Sequence, residues 1–431
     1  MSSQTVLTEL ARIAEQSERD PDKVFTTMAH LMDVEFLEEA FNRLRRDAAA
    51  GIDGVTVDDY REDLEENLRE LHRRLVAKQY RAQPARRAWI PKSDGTQRPL
   101  AILVLEDKIV QKAVSMLLGA VYEPMFYEFS YGFRPEHSAH QALAYLREQC
   151  IELNINWIVD ADVRGFFDNI DRGCFREVLK SRVNDGSIIR LIGKWFHAGV
   201  LEDGEVKVSE KGTQQGGVIS PLLANVFLHT VLDDWFEREV RPRMRGRCFI
   251  VRFADDFAVG FELKSDAERF YQVLPKRMGR YGLEIHATKS RMVQFSRPGR
   301  GKSKGVGTFD YLGFTHYWGK TLKGGWSIKR KTRKKRMHRA MAAIWDWCKQ
   351  NRHMHIKDQY QKLCAKLRGH YQYYGIRGNY KMLEVYFEHV ERTWKHWLGR
   401  RTRNGYINWE KFENKYRRLF PLPKPRIVHT Q

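Results

Sequence analysis

Hydrophobic positions recur with two different spacings along the chain, and the spacing changes near residue 85. Up to about residue 80 they fall every three or four positions, which predicts amphipathic helices in MAHLMDVEFLEEAFNRLRRD and in DLEENLRELHRRLVAKQY. From about 85 to 325 short apolar runs alternate with helical patterns; WIVDAD is predicted as one strand and FIVRFADDFAVGF as two strands around an acidic tip. The order of elements therefore predicts an α+β fold followed by a helical tail.

Turn and capping residues indicate where several of these elements begin or end. Gly51 and Gly54 supply turn chemistry between two N-terminal helices. Ser220 and Pro221 suit the first turn of a helix, because serine can cap it and proline fits its first positions. A Gly/Lys-rich loop, SRPGRGKSKGVGTFDY, is predicted before a last strand pair, and KRKTRKKRMHRAMAAIWDWCKQ is predicted to open a basic, helix-rich tail.

Basic residues are concentrated near the C-terminal end. The 431 residues include 75 Lys plus Arg and 54 Asp plus Glu, a formal net charge of +21. Residues 326–431 hold 27 of the basic and 7 of the acidic residues, which leaves 48 and 47 in the first 325. Basic side chains interleaved with large aromatic ones suit a surface that contacts phosphates and stacks on bases. The alternative is a helical domain with an aromatic core and merely solvated lysines.

Composition also excludes several classes of protein. No run approaches the roughly 20 apolar residues of a membrane-spanning helix, and the first residues do not follow the pattern of a secretory signal. The five cysteines are scattered and form no CxxC pair, so neither a disulfide framework nor a Cys-rich zinc site is predicted. We therefore expect a soluble protein of a reducing compartment, with no membrane partner.

Two groups of carboxylates follow apolar strands. Asp162 ends the WIVDAD run, and Asp255 with Asp256 forms the tip of the RFADDF hairpin. A carboxylate at the end of a buried strand is costly unless it is paired or binds a cation. If the strands lie side by side, the carboxylates would meet and call for Mg²⁺, which prefers hard oxygen ligands. Taken alone, an ADD triplet is more often a cap or a turn.

The surrounding motifs extend this interpretation. In order along the chain they are IPKSDGTQRPL, SYGFRP, DADVRGFFDNID, GTQQGGVISPLLAN, RFADDF and DYLGF. This set resembles the successive motifs of reverse transcriptases of the group II intron type, and the likeness covers roughly residues 30–431. AGIDGVT resembles an additional N-terminal motif of that lineage, and the segments from RGHYQYYGIRGNY to PLPKPRIVH resemble its maturase region.

The resemblance implies a right-hand polymerase fold with an antiparallel palm sheet, a helical thumb and a basic DNA-binding end. The implied segments are an N-terminal extension with the start of the fingers, the fingers and palm, the thumb, and the C-terminal maturase region: residues 1–84, 85–325, 326–375 and 376–431. The role of the first 30 residues stays open, with a helical cap that braces the template as one candidate.

The resemblance also assigns roles to individual residues. Asp162, Asp255 and Asp256 match the catalytic carboxylates that bind two Mg²⁺ ions, for which Mn²⁺ can substitute. The residues that match contacts to the incoming dNTP are Lys92, Arg98, Phe167, Gln215 and Lys289. Phe167 is expected to exclude a ribose 2′-hydroxyl by its bulk. The residues expected to bind nucleic acid are Arg330, Lys331, Arg333, Lys334, Lys335, Arg336, Arg400, Arg401 and Arg403.

Three departures from the family pattern remove no expected metal ligand. Phe253 stands where the family has tyrosine, Gln214 stands where proline is usual, and Ala101 begins a stretch that replaces the usual Gly-Ile-Pro. The tail histidines show no Cys/His metal pattern, so we expect no HNH-type endonuclease region.

The implied function is that of an RNA-directed DNA polymerase and intron maturase. Its expected partners are group II intron RNA, an RNA template with a DNA primer, target DNA and dNTPs. Its expected location is the bacterial cytoplasm, with nucleoid association during mobility. Two alternatives stay open: an RNA-binding splicing factor with an idle polymerase fold, and a host-adopted relative used in repair or defence.

Overall fold

The computed structural model describes residues 3–91, 97–202, 205–207, 216–299, 307–321, 323–402 and 405–430. The chain forms two compact units, one of residues 1–145 and 159–292, the other of residues 146–158 and 293–431. The four-part division expected from the sequence stays a prediction. No described helix combines the length and the apolar character needed to cross a membrane.

The N-terminal region is helical, as its spacing predicted. Four helices occupy it: α1 (Ser3–Arg19), α2 (Val34–Asn42), α3 (Val57–Glu62) and α4 (Leu64–Val76). Thr56 begins α3 with a capping box, in which its hydroxyl accepts from the Asp59 amide while the Asp59 carboxylate accepts from the Thr56 amide. Ser17 fixes α1, because its buried hydroxyl donates to the carbonyl of Val121 at 2.6 Å.

Further α-helices follow in the described residues, and α10 begins at Ser220 as predicted. They are α5 (Leu105–Tyr122), α6 (Ala139–Glu152), α7 (Phe166–Asn169), α8 (Arg172–Lys180), α9 (Gly186–His197), α10 (Ser220–Leu228) and α11 (Lys264–Gly279). After α10 the chain continues through two π-helical stretches, His229–Asp233 and Phe236–Val240. The apolar centre of the first unit surrounds α5, in which Ile109, Val114 and Leu117 have no exposed surface.

The described residues also form strands. They are β1 (Ala85–Pro91), β2 (Gln97–Ile102), β3 (Trp157–Ala161), β4 (Val200–Glu202), β5 (Glu205–Lys207), β6 (Cys248–Phe253), β7 (Asp256–Phe261) and β8 (Arg291–Gln294). One sheet has the order β2-β1-β4-β5 and another has the order β6-β7-β3-β8. The division between the units passes through α6, β3 and β8.

The strands predicted from apolar runs are present. WIVDAD gives β3, and FIVRFADDFAVGF gives the antiparallel pair β6 and β7. Both β6 and β7 are almost wholly buried, which explains their near-continuous apolar sequences. The predicted α+β class, with antiparallel strand pairs and a helical region after them, is confirmed.

The second unit contains a three-stranded sheet and a helical bundle. Its elements are β9 (Phe309–Tyr311), β10 (Phe314–Lys320), β11 (Trp326–Thr332), α12 (Lys334–Gln350), α13 (Ile356–Tyr374), α14 (Tyr380–Leu398) and α15 (Trp409–Lys411). The sheet order is β11-β10-β9. Leu363, Leu367, Val390 and Trp394 lie in the core that α12, α13 and α14 share.

The start of the basic tail differs from its prediction. KRKT, taken as the opening of a helical tail, lies at the end of β11, and the helix begins only at Lys334. Strand alternation turns Ile328, Arg330 and Thr332 inward, while Lys331 is exposed. The basic run therefore contains both strand and helix, a change that charge alone does not reveal.

Candidate active site

The β6–β7 hairpin presents the predicted acidic tip. Phe253 pairs with Asp256, which leaves Ala254 and Asp255 as the two residues of the turn. Ala254 has φ +57°, in the left-handed region, which costs an alanine about 1 kcal/mol. A two-residue turn with positive φ matches the twist of the flanking strands. The turn therefore holds Asp255 at the outermost point of a buried strand pair.

Asp162 follows the last residue of β3, the neighbour of β7 in the sheet. Its amide donates to the hydroxyl of Ser290 at 3.1 Å, and its carbonyl accepts from the amide of His286 at 2.8 Å. Its carboxylate is about half exposed and lies 3.2 Å from the ammonium of Lys289. β3 and β7 are neighbours in the sheet, and neighbouring strands lie about 4.8 Å apart. Asp162 directly follows β3, and Asp256 begins β7.

The 284–290 segment holds the loop after Asp162 in place. Val163 forms an antiparallel bridge with Ile285, and the Arg164 amide donates to the carbonyl of Glu284 at 2.8 Å. Ser290 is itself fixed, since its carbonyl accepts from the hydroxyl of Tyr271 at 3.1 Å. Lys289, predicted only from the resemblance, is thereby placed beside Asp162.

Phe167 lies in α7, directly after this loop. Gly165, at φ +50°, begins the helix, and the amide of Asn169 donates to its carbonyl. The ring of Phe167 is partly exposed and packs edge-on against the buried ring of Phe166, with centroids 5.2 Å apart. The Phe167 ring, five residues after Asp162, is thus held in place by its contact with the Phe166 ring.

The predicted contacts to the triphosphate are described only in part. Lys92 and Gln215 lie outside the described residues. The backbone of Arg98 belongs to β2, opposite Ile90 of β1. Gly216, at φ +109°, lies against the same strand, because a Cβ there would be 2.6 Å from the carbonyl oxygen of Ala101. Glycine at this position therefore allows a close approach between the two backbones.

Sequence reasoning missed a charged cluster beneath the acidic tip. Arg252, in β6, is fully buried, and its guanidinium contacts the equally buried carboxylate of Asp233 at 2.6 Å. The same guanidinium donates to the side-chain oxygen of Asn225 at 2.9 Å and to the carbonyl of Ala254 at 3.0 Å. Arg252 thus connects a π-helical stretch to the turn that carries Asp255.

A neighbouring loop closes this cluster from another side. The Asn225 amide group donates to the carbonyl of Gly132 at 2.7 Å, and the backbone of Arg252 exchanges hydrogen bonds with Phe129 and Tyr131. A Cβ at Gly132 would lie 2.2 Å from the amide nitrogen of Ala254, so only glycine fits there. A lone arginine inside the apolar run FIVRF was the available signal, because a buried charge requires a partner.

The chemistry of these donors suits a hard divalent cation. Carboxylates are the ligands that Mg²⁺ prefers, and the Asp162 carboxylate already faces a cation, the ammonium of Lys289. Among the residues that the structure describes, no three His, Cys, Asp or Glu side chains surround a common point as metal ligands would. Asp162 is held by Lys289 in this arrangement.

The basic residues predicted to bind nucleic acid occupy different environments. Lys331, Lys334, Lys335, Arg336 and Arg400 are exposed. Arg333 pairs with Asp310 at 2.9 Å, and Arg401 donates to the carbonyl of Met354 at 2.9 Å.

Two residues predicted to contact nucleic acid are not exposed surface residues of the described structure. Arg330 is 4% exposed, and burial followed by the charge of Arg147 lowers its pKa to about 10. Its inward position follows from the alternation of β11. Arg403 lies outside the described residues.

Comparisons with known proteins agree with this geometry. A family model described as "Reverse transcriptase (RNA-dependent DNA polymerase)" matches residues 90–316, just over half of the chain. The group II intron-encoded protein LtrA of Lactococcus lactis is 35% identical over 222 residues, 51% of this chain and 37% of LtrA. Protein YkfC of Escherichia coli is 35% identical over 198 residues, 45% of this chain and 52% of YkfC.

The matches reach only part of each protein. The chain spans between about a third and a half of the length of these two relatives. An apo telomerase structure from Candida tropicalis aligns with 55% of this chain and 53% of its own, at 13% identity and a TM-score of 0.42. The predicted resemblance to group II intron-encoded proteins is confirmed by the match to LtrA, and the predicted right-hand polymerase fold is confirmed by the match to the reverse transcriptase family.

Proposed function

Because this chain belongs to the reverse transcriptase (RNA-dependent DNA polymerase) family, we propose that it extends a DNA primer on an RNA template with dNTPs. We further propose that it binds a group II intron RNA and assists its splicing and mobility, as a maturase does. The observation that carries the polymerase proposal is the adjacency of β3 and β7, strands whose ends bear Asp162 and Asp256.

The proposal gives the three carboxylates the task of binding metal. Asp162, Asp255 and Asp256 would hold Mg²⁺, with Asp162 exchanging the Lys289 ammonium for the metal. Two bound ions would supply the charge that activates the primer 3′-hydroxyl and stabilises the leaving pyrophosphate. The buried Arg252 cluster supports this role, because it fixes the turn residue next to Asp255 through the Ala254 carbonyl.

The remaining site residues would bind and select the nucleotide. Lys92 and Arg98 would neutralise the triphosphate, and Gln215 would lie beside the incoming base. Phe167 would exclude the 2′-hydroxyl of a ribonucleotide, since its ring is supported by Phe166. Lys289, once released by Asp162, would hold a proton that its ammonium can donate to the pyrophosphate oxygen.

The maturase part of the proposal rests on the charge of the second unit. Lys331, Lys334, Lys335, Arg336 and Arg400 are exposed and would contact phosphates of a structured RNA. Folded RNA would provide the splicing chemistry, while the protein holds its active form. Target DNA is a further proposed partner of the whole protein.

Primer extension tests the polymerase proposal. Asp255→Asn should reduce dNTP incorporation on an RNA template by at least about a thousandfold, because several kcal/mol of charge stabilisation would be lost. Affinity for RNA should stay within about twofold. Glu262→Gln is the matched control: it removes one carboxylate at the other end of the same hairpin, from an exposed pair with Arg247, and should extend primers normally.

Three outcomes decide between the candidate functions. Normal extension by Asp255→Asn would sink the assignment of the catalytic carboxylates. A folded wild-type protein that assists splicing but never extends a primer would be the splicing factor with an idle polymerase fold. Loss of splicing assistance in Asp255→Asn, with folding intact, would contradict the separation of the two activities.

A further inference from the structure

A groove of about 810 Å³ lies between α8 and α9 in the first unit. Its floor is apolar, built from side chains of both helices that include Phe175 and Phe196. Among the described residues, its walls carry six basic side chains and no acidic one: Arg172, Arg176, Lys180, Arg190, Lys194 and His197. The site residues described above do not include any of them.

The spacing of these residues explains why they converge. On α8 the basic positions are 172, 176 and 180, and on α9 they are 190, 194 and 197. Residues three or four apart share one face of a helix, so each helix turns a basic row toward the groove. Like charges at this spacing destabilise a helix by a few tenths of a kcal/mol per pair. Two facing rows of one sign are therefore unfavourable unless an anion lies between them.

Among the residues that the structure describes, ion pairs offset part of this charge, and the Arg172 guanidinium lies over the Phe196 ring, 5.8 Å from its centroid. Lys180 pairs with Glu177 at 3.1 Å, and Lys194 donates to the carbonyl of Tyr80. Arg176 and Arg190 are exposed and form no hydrogen bond or ion pair with the residues that the structure describes. Burial, then the charge of Arg190, lowers the pKa of Lys194, as expected for a cation with a like-charged neighbour.

A second cavity continues the basic lining. It has a volume of about 350 Å³, shares Arg190 and Lys194 with the groove, and adds His30, His72 and Lys78. In the described part of the chain, no Asp or Glu lines this cavity either. Both faces of α9 thus border cavities of one charge sign, although the first 325 residues hold nearly equal numbers of basic and acidic residues. The local excess of basic residues around α9 does not show in the net charge of the first 325 residues.

We infer that this groove binds the phosphodiester backbone of folded RNA, at a place separate from the basic tail. Guanidinium groups suit phosphate, because their planar donors can pair with two oxygens at once. Phe175 and Phe196 are buried, so the groove offers no ring on which a base could stack, and recognition is independent of sequence. This inference deepens the proposed function, because it gives the RNA a second anchoring surface on the first unit.

The test replaces the two exposed arginines. Arg176→Gln with Arg190→Gln should weaken binding of a long structured RNA by about five- to tenfold. The slope of log affinity against log salt should become shallower by about 1 to 2, as expected for two lost phosphate contacts. Arg176→Lys with Arg190→Lys should keep most of the affinity, because the charges remain. Thermal unfolding should be unchanged in both double variants.

A matched control separates the groove from general charge loss. Arg45→Gln with Arg69→Gln removes the same charge from exposed positions of the first unit that pair with Asp47 and Glu65, and should leave RNA affinity unchanged. Equal losses in control and groove variants, or no loss in either, would overturn the inference. A groove variant that loses binding of a polyglutamate peptide while keeping RNA affinity would also overturn it and identify an acidic protein as the partner.

The measurement does not depend on polymerase activity. RNA affinity is read by filter binding without dNTPs, while extension of a short primer–template is measured separately on the same variants. Failure of the groove inference leaves normal extension with unchanged RNA binding. Failure of the proposed polymerase function gives no extension by the wild-type protein, whatever the RNA affinity of the groove variants.

Discussion

The two units differ in how their best-satisfied buried polar side chains are held, although the second unit also buries the charge of Arg330. In the first unit the Asp185 carboxylate accepts from four backbone amides, and Arg252 and Asp233 form an ion pair with both side chains fully buried. In the second unit Gln359 donates to three backbone carbonyls and accepts from the indole of Trp394. Asn379 similarly bridges Thr332 and the carbonyl of Tyr374.

This difference matches the tasks proposed for the units. A buried charge needs a specific partner, so it holds its neighbours in one arrangement. Losing that partner lowers the stability of the fold strongly. Buried amides satisfy the backbone with less electrostatic penalty. The first unit thus fixes a turn that bears catalytic carboxylates, while the second keeps much of its charge on the surface for a polyanion.

Breaking the buried ion pair should have the largest effect on stability. Arg252→Met leaves Asp233 buried without its cation, and should lower the free energy of unfolding by about 3 to 5 kcal/mol. Arg247→Met is the control, since Arg247 pairs with Glu262 at an exposed position on the same hairpin and should cost less than about 1 kcal/mol. Denaturant unfolding of both variants makes the measurement.

A second variant separates stability from positioning. Arg252→Met with Asp233→Leu removes both charges and should recover much of the lost stability. Primer extension should stay low, because the Ala254 carbonyl still lacks its donor, and the loss should appear in kcat more than in KM for dNTP. Full recovery of extension along with stability would show that the cluster has a structural role alone.

The pH dependence of the first unit should follow Asp107. Burial raises the pKa of this carboxyl to about 6, against the hydrogen bonds donated by Tyr80 and by the Gln83 amide. The folded state therefore keeps this proton up to a higher pH than the unfolded state does. The stability that the raised pKa contributes declines as pH rises from about 4 to 6. The decline is about 3 kcal/mol at most.

Asp107→Asn checks this sign. The substitution should destabilise the protein more at pH 4 than at pH 7, because the wild-type carboxyl is neutral at pH 4 and charged at pH 7. Urea unfolding at the two pH values gives the difference. An equal effect at both would show that Asp107 keeps its ordinary pKa.

The second unit should respond to pH in the opposite direction through His370. Burial lowers the pKa of this imidazole to about 4, and its ring stacks on Tyr386 with centroids 3.8 Å apart. The unfolded state therefore binds the proton first, and stability is lost as pH falls from about 6.5 to 4. His370→Phe should remove about 2 kcal/mol of this acid sensitivity, measured by thermal unfolding at pH 4.5 and 7.5.

Surface charge in the second unit should matter least for stability. Lys334→Gln with Lys335→Gln changes two exposed side chains at the start of α12, and unfolding should shift by no more than about 0.5 kcal/mol. The salt slope for RNA binding should nevertheless become shallower by about 1 to 2. An unchanged slope would remove these lysines from the RNA surface.

Local patterns were enough to predict several of the elements. The amphipathic spacing before residue 80, the capping pair at Ser220 and the apolar run around Asp255 correspond to α2 and α4, α10 and the β6–β7 hairpin. Prediction failed at KRKT, where a run of charge concealed the two-residue alternation of β11. Arg330 was consequently assigned to the surface although its side chain is buried.

The sequence predicted the residues of the candidate site one by one, but not the hydrogen bonds and ion pairs that join them. Lys289 beside Asp162, Ser290 on the Asp162 amide and Arg252 beneath Ala254 all join segments that are distant in sequence or in different elements. Among these, only a lone arginine in an apolar strand gave a warning in the sequence. The partner of that arginine depends on how a π-helical stretch packs against β6.

By itself, the sequence determined the period of several helices and strands, the motif order and the concentration of charge after residue 325, because these properties depend on neighbours along the chain. Tertiary structure alone decided which charges meet. It buried Arg252 against Asp233, placed Lys289 on Asp162 and left the basic rows of α8 and α9 facing one groove. Electrostatic energy depends on distance and burial, and both are set by packing between segments that the sequence keeps apart.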